Sequence, residues 1–139
     1  MSLQLMQLFC FSAVLLYASI IDIKTHTVPN RIYILLLITA LLHVSVSSLE
    51  GLMITFVPLL VTGLLLPNQI GGGDIKFGAL CGLILTGTNG LIALITGSLL
   101  CLLLMPVVCK LIHKPLKGME IPMIPFFSAG CIIISIINL

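Results

Sequence analysis

Charge is what this sequence has least of. Only 7% of its 139 residues are Asp, Glu, Lys or Arg, where soluble domains carry about a quarter. With 60% hydrophobic residues and a mean hydropathy of +1.34, a soluble domain is excluded. The composition is that of an integral membrane protein with little mass outside the bilayer, and residues 1–139 make one such domain. A net charge of +2 is too small to call for a nucleic-acid partner. Carboxylates are rarest of all: Asp22, Glu50, Asp74 and Glu120 are the four present.

Other absences narrow the chemistry. The five cysteines (Cys10, Cys81, Cys101, Cys109 and Cys131) form no CxxC pair and have no histidine at metal-ligand spacing. They read as buried, inert thiols, so neither a metal nor a cofactor is expected. The triplet Gly71-Gly72-Gly73 lacks a following Gly-Lys-Ser/Thr, which excludes a P-loop. The first apolar run has no basic region before it and no A-x-A site after it, and is expected to span rather than to be cleaved.

What is present is a series of apolar runs. Residues 3–21 make a helix of about 28 Å, enough for a hydrocarbon core of about 30 Å. Five more spans are expected at about 32–46, 52–66, 74–86, 91–109 and 121–137. Residues 47–51 are expected to form a loop. Pro58 should kink the third span, and Pro122 and Pro125 fall in the first turns of the sixth. The fourth span is short, so it must thin the bilayer or pack among other helices. All six basic residues (Lys24, Arg31, Lys76, Lys110, Lys114, Lys117) fall on one side of this plan. By the positive-inside rule that side is cytoplasmic and both termini are extracytoplasmic. The expected fold is therefore all-α, with six transmembrane helices.

This plan puts Asp22 at the end of the first span and Asp74 at the start of the fourth, at the same cytoplasmic boundary. Both stand in the frame Asp-Ile-Lys. Gly78, Cys81 and Gly82 share a helical face with Asp74, and Ala18 and Ser19 share one with Asp22. Small residues at such spacing let helices approach closely in lipid, so the two faces are expected to bring the carboxylates together. Two carboxylates in a partly dry site cannot both ionise cheaply and share a proton. The ionised one can take a proton from water while the other polarises a peptide carbonyl. The glycines would let backbone approach a substrate and permit positive φ. Aspartates also cap helices: Asp74, at a helix start, suits that role, whereas Asp22, at a helix end, does not.

Asp22 with Lys24 and Val28-Pro29-Asn30, followed by Gly71-Gly72-Gly73-Asp74-Ile75-Lys76, resembles the two aspartate motifs of the type IV prepilin peptidases, membrane aspartic proteases of the GxGD type. The small size is similar to that of the short peptidases of tight-adherence (Flp-type) pilus systems. The resemblance implies a bacterial inner-membrane endopeptidase that cleaves the basic leader from prepilins or pseudopilins, beside a glycine, at the cytoplasmic face. It makes Asp22 and Asp74 the catalytic pair. Gly71, Gly72, Gly73, Lys24, Lys76, Pro29 and Asn30 become candidates for shaping the site or holding substrate. Longer members add a cysteine-rich part and N-methylate the product; without that part, methylation is not expected here. The late motif of the family is matched in part by residues 124–130, without the glycine expected soon after the proline.

The remaining polar residues have plainer readings. Lys24 and Lys76 point about 200° away from their aspartates on a helix and suit lipid phosphates or substrate. His26 and His113 are expected in solvated loops, and His43 against a neighbouring helix. Glu120 is expected to cap the sixth span, and Lys110–Lys117 to meet anionic lipid. Gly90, Ala93 and Gly97 give the fifth span a small packing face. Two rival functions fit the same composition, a small proton- or ion-coupled transporter and a non-catalytic assembly subunit of a secretion apparatus.

Overall fold

The computed structural model describes residues 2–68, 70–115 and 121–138. Among these residues there are six helices and no strand: α1 (Leu3–Thr25), α2 (Asn30–Leu41), α3 (Val46–Leu65), α4 (Gly72–Leu85), α5 (Asn89–Ile112) and α6 (Ile124–Ile137). α1, α3 and α5 are long and apolar enough to cross a membrane, and α2 and α6 are shorter apolar helices. The outer surface is apolar: Phe9 is 74% exposed, Leu102 72% and Leu111 76%. In water such a surface is an aggregation liability, whereas lipid accepts it. Several hydroxyls inside the helices are satisfied at home, while Ser128 of α6 reaches Leu15 O of α1 and the buried Ser135 Oγ has no partner among the described residues. Ser12 donates to Leu8 O, Ser19 to Leu15 O, Thr62 to Pro58 O and Ser98 to Leu94 O, as a water-free surrounding demands.

Several boundaries differ from the sequence expectation. α2 ends at Leu41, and α3 begins at Val46, taking in residues 47–51 that were expected to form a loop. The reason is a capping box: Ser45 Oγ accepts from the Ser48 amide, and Ser48 Oγ accepts from the Ser45 amide, at 3.2 Å each. α6 begins at Ile124 rather than at 121, with Pro125 in its first turn. Lys117 and Glu120, with the roles expected of them, lie outside the described residues.

α4 is the hub. At 14 residues it is about 21 Å long, and it packs on α2, α3, α5 and α6. Phe77, Gly78, Ala79, Cys81, Gly82 and Leu83 are all buried. Its small-residue stripe does not meet α1, as the shared spacing suggested. Among the described residues α1 packs on α2 and α6 and not on α4. The stripe is taken by others: a Cβ on Gly78 would strike Leu59 of α3 and come within 3.2 Å of Leu94 of α5. One on Gly82 would strike Thr55 and lie 2.5 Å from Gly51 O. Gly90 of α5 closes on the same point, 2.5 Å from Gly82 Cα by the same measure. The small face of α5 does serve packing, since Gly97 and Ala93 receive the backbone of α6 at Phe126, Phe127 and Gly130.

Two cavities of about 780 Å³ open at the two ends of the bundle. One is lined by Gln7, His43, Ser45, Ser47, Thr86, Asn89 and Ser135 among others, with no Asp, Glu, Lys or Arg among the described residues. The other holds both aspartates. Between them lies a core that includes Leu15, Ile32, Leu36, Phe77, Cys81, Phe127 and Cys131.

Gly82→Ala is expected to cost about 1–3 kcal/mol, the usual range for overpacking, and to lower the thermal midpoint of the detergent-solubilised protein. Gly72→Ala should not lower it, because a Cβ there meets nothing within 4 Å.

Candidate active site

Four chain segments meet at the second cavity. The last turn of α1 brings Asp22, and the first turn of α2 brings Tyr33. The N-cap and first turn of α4 bring Gly71, Gly73 and Asp74, and the approach to α6 brings Ile121–Ile124. Val28 and the 121–124 stretch give the cavity an apolar wall. His26, Thr27 and Asn68, all exposed, complete its lining.

Asp22 is only 6% exposed, and a carboxylate so buried needs a hydrogen-bond partner. It finds one far along the chain: Ile124 N donates to Asp22 Oδ2 at 3.2 Å. Ile124 is the first residue of α6. Capping therefore does apply to Asp22, in a form the sequence did not suggest: it closes the N-terminus of another helix, not its own. The end of α1 is closed separately. His26 takes the left-handed conformation (φ 51°) and donates its N–H to Asp22 O at 2.8 Å.

Asp74 stands in the first turn of α4, at the favourable end of that helix. Its amide donates to Gly71 O at 3.0 Å, and its carboxylate turns back over Gly71, 3.6 Å from where a Cβ would stand. The glycine triplet does not supply positive φ, contrary to expectation. Gly71 is an extended N-cap (φ −71°), Gly72 and Gly73 are helical, and Gly87 is the positive-φ glycine among the described residues. What the triplet supplies is room: a Cβ on Gly73 would lie 2.7 Å from the Tyr33 hydroxyl.

Asp22 and Asp74, on helices that do not pack on each other, thus border one cavity. Gly71 and Gly73 line the cavity with them. Gly72, Lys24, Lys76, Pro29 and Asn30 do not. Lys24 and Lys76 are exposed, and Lys76 places its ammonium 6.0 Å from the centroid of the Tyr33 ring. His43 lines the opposite cavity. Among the described residues no group of three or more His, Cys, Asp or Glu is placed to hold a metal ion.

The model of the type IV leader peptidase family matches residues 9–106, most of the chain and both aspartates. The chain belongs to that family. Neither the comparison with curated proteins nor that with solved structures gave a match. Family membership makes the protein a leader-peptidase-like protease. In this peptidase the match stops within α5, so α6, which supplies the partner of Asp22, lies beyond it. Sequence reasoning missed Tyr33 and the Ile124 amide. Tyr33 did carry a signal, a phenol one turn into the helix that follows the polar 22–30 segment. The amide carried none.

Asp22→Asn keeps an acceptor oxygen for Ile124 and should leave the thermal midpoint near wild type. Asp22→Leu removes it and should destabilise by about 1–3 kcal/mol, the cost of leaving a buried donor such as the Ile124 amide unpaired. Equal midpoints for the two variants would mean that the bond contributes nothing.

Proposed function

We propose that this protein is a membrane aspartic endopeptidase that removes the basic leader peptide from type IV-like prepilins at the cytoplasmic face of the bacterial inner membrane. The observation that carries the reading is that Asp22 and Asp74, on separate helices, border a single cavity at one end of the bundle. All six helices cross the membrane in this reading. The six basic residues then lie on the cytoplasmic side and both termini outside. The exposed apolar exterior supports it. Lys24 and Lys76, exposed beside the cavity, suit lipid phosphates there.

Hydrolysis uses the pair asymmetrically. The ionised carboxylate takes a proton from water as the water oxygen attacks the scissile carbonyl carbon. The protonated carboxyl donates to the carbonyl oxygen, giving a tetrahedral diol. As the C–N bond breaks, the carboxyl that received the water proton passes it to the leaving nitrogen. The other takes back its proton as the new acid forms. Which aspartate begins as acid is a property of the pair, and the roles exchange during turnover. Gly71 and Gly73 keep the wall beside Asp74 bare for an extended peptide, and Val28 with residues 121–124 offers it an apolar side.

Purified wild-type protein incubated with a synthetic prepilin should release the leader, and Asp22→Asn or Asp74→Asn should abolish release while the protein remains membrane-inserted. Substantial processing by either variant would overturn the assignment. Ion or proton flux in vesicles without cleavage would favour the transporter, and tolerance of both substitutions in assembly the non-catalytic subunit.

A further inference from the structure

We propose that the Tyr33 hydroxyl is a third catalytic group, donating a hydrogen bond to the oxygen that gains negative charge when the scissile carbonyl is attacked. This rests on the reading of Asp22 and Asp74 as the catalytic pair. Tyr33 lines the same cavity as both aspartates and is half-buried. Its hydroxyl lies against Gly73, the residue directly before Asp74, so closely that a Cβ on Gly73 would be 2.7 Å away. Lys76 sets its ammonium 6.0 Å from the ring centroid, within the range of a cation–π contact. The ring is thus held from one side by Lys76, and the hydroxyl is stopped by the α4 backbone.

The chemistry asks for such a group. A pair sharing one proton offers the carbonyl oxygen one donor, and a tetrahedral oxyanion gains from a second. Besides main-chain N–H groups, those of Gly71 and Gly73 included, the deeper wall of the cavity offers no other donor among the described residues. Val28, Ile121 and Met123 present apolar side chains, Pro122 has no N–H, and the Ile124 amide is already given to Asp22. His26, Thr27 and Asn68 are exposed. A phenol also donates without bringing a positive charge beside the carboxylates. A Lys or Arg in its place would favour ionisation of both and take away the shared proton.

The test is leader cleavage by purified full-length Tyr33→Phe, with Tyr17→Phe, the other tyrosine, as control and Asp74→Asn as blank. Tyr33→Phe keeps the ring and its contact with Lys76 and loses only the hydroxyl, and a thermal midpoint equal to wild type verifies the fold. A fall in kcat of about 10²-fold, the scale of losing one oxyanion donor, is expected, with KM little changed. Tyr17→Phe should match wild type. Gly73→Ala, which displaces the hydroxyl without deleting it, should lower kcat in the same direction. Wild-type kcat in Tyr33→Phe would overturn the inference and leave the aspartate reading standing, whereas cleavage by Asp74→Asn would overturn both. A shift in the pH limits of kcat with full recovery at the new optimum would make Tyr33 a positioning residue for Asp74 and also overturn it.

Discussion

A buried carboxylate must have a partner, and the one that Asp22 takes draws the two ends of the chain together. The Ile124 amide reaches it from the start of α6, so the last helix is fixed to the last turn of the first. The apolar wall of the cavity, residues 121–124, is the segment leading into that bond. If the bond lengthens, the wall and the charge move together. Asp22 at the start of α6 and Asp74 at the start of α4 also share an electrostatic setting. Each carboxylate meets the positive end of a helix, and the two helix ends converge on the same space. Repulsion between the carboxylates is thereby offset in part by backbone.

Asp74 owes its place to how little of α4 is side chain. A 14-residue helix that packs on four others can do so only where glycine and cysteine let the neighbouring backbones come close. Gly51, Gly82 and Gly90 bring α3, α4 and α5 to near-contact at one level, and the Gly87 amide donates to Ser47 O at 2.8 Å just beyond it. A short helix anchored at that end brings its other end, with Gly73 and Asp74, to the wall of the cavity.

Much of this was legible in the residues. Apolar runs and polar interruptions mark six helices in the right order, and two Asp-Ile-Lys frames single out the carboxylates. What periodicity cannot show is which helix a small-residue face will meet. Gly78 and Gly82 look equally suited to α1 and to α3, and only the assembled bundle decides for α3 and α5. Nor can it show an amide of α6 seeking a side chain of α1, because backbone donors carry no residue signature. Ser45 and Ser48 did announce the start of α3, but a serine pair beside Glu50 and Gly51 reads equally well as a turn. Tyr33 went unnoticed because a tyrosine at a helix end is ordinary at a membrane boundary; its meaning comes from Gly73, a neighbour in space only.

The two cavities have one more implication. About 16 Å of helix separates Phe11, at the floor of the first cavity, from Asp22 in the other, at 1.5 Å per residue. Within that interval the seal is a single plug of apolar side chains and thiols, Leu15, Phe77, Cys81 and Cys131 among them, each fully buried. A protein that admits water to acidic groups from one face of a membrane must still hold the proton gradient across it. If all six helices cross the membrane as proposed, that insulation is the work of this one layer, and trimming Leu15 or Phe77 would bear on the leakiness of the membrane as well as on the stability of the fold.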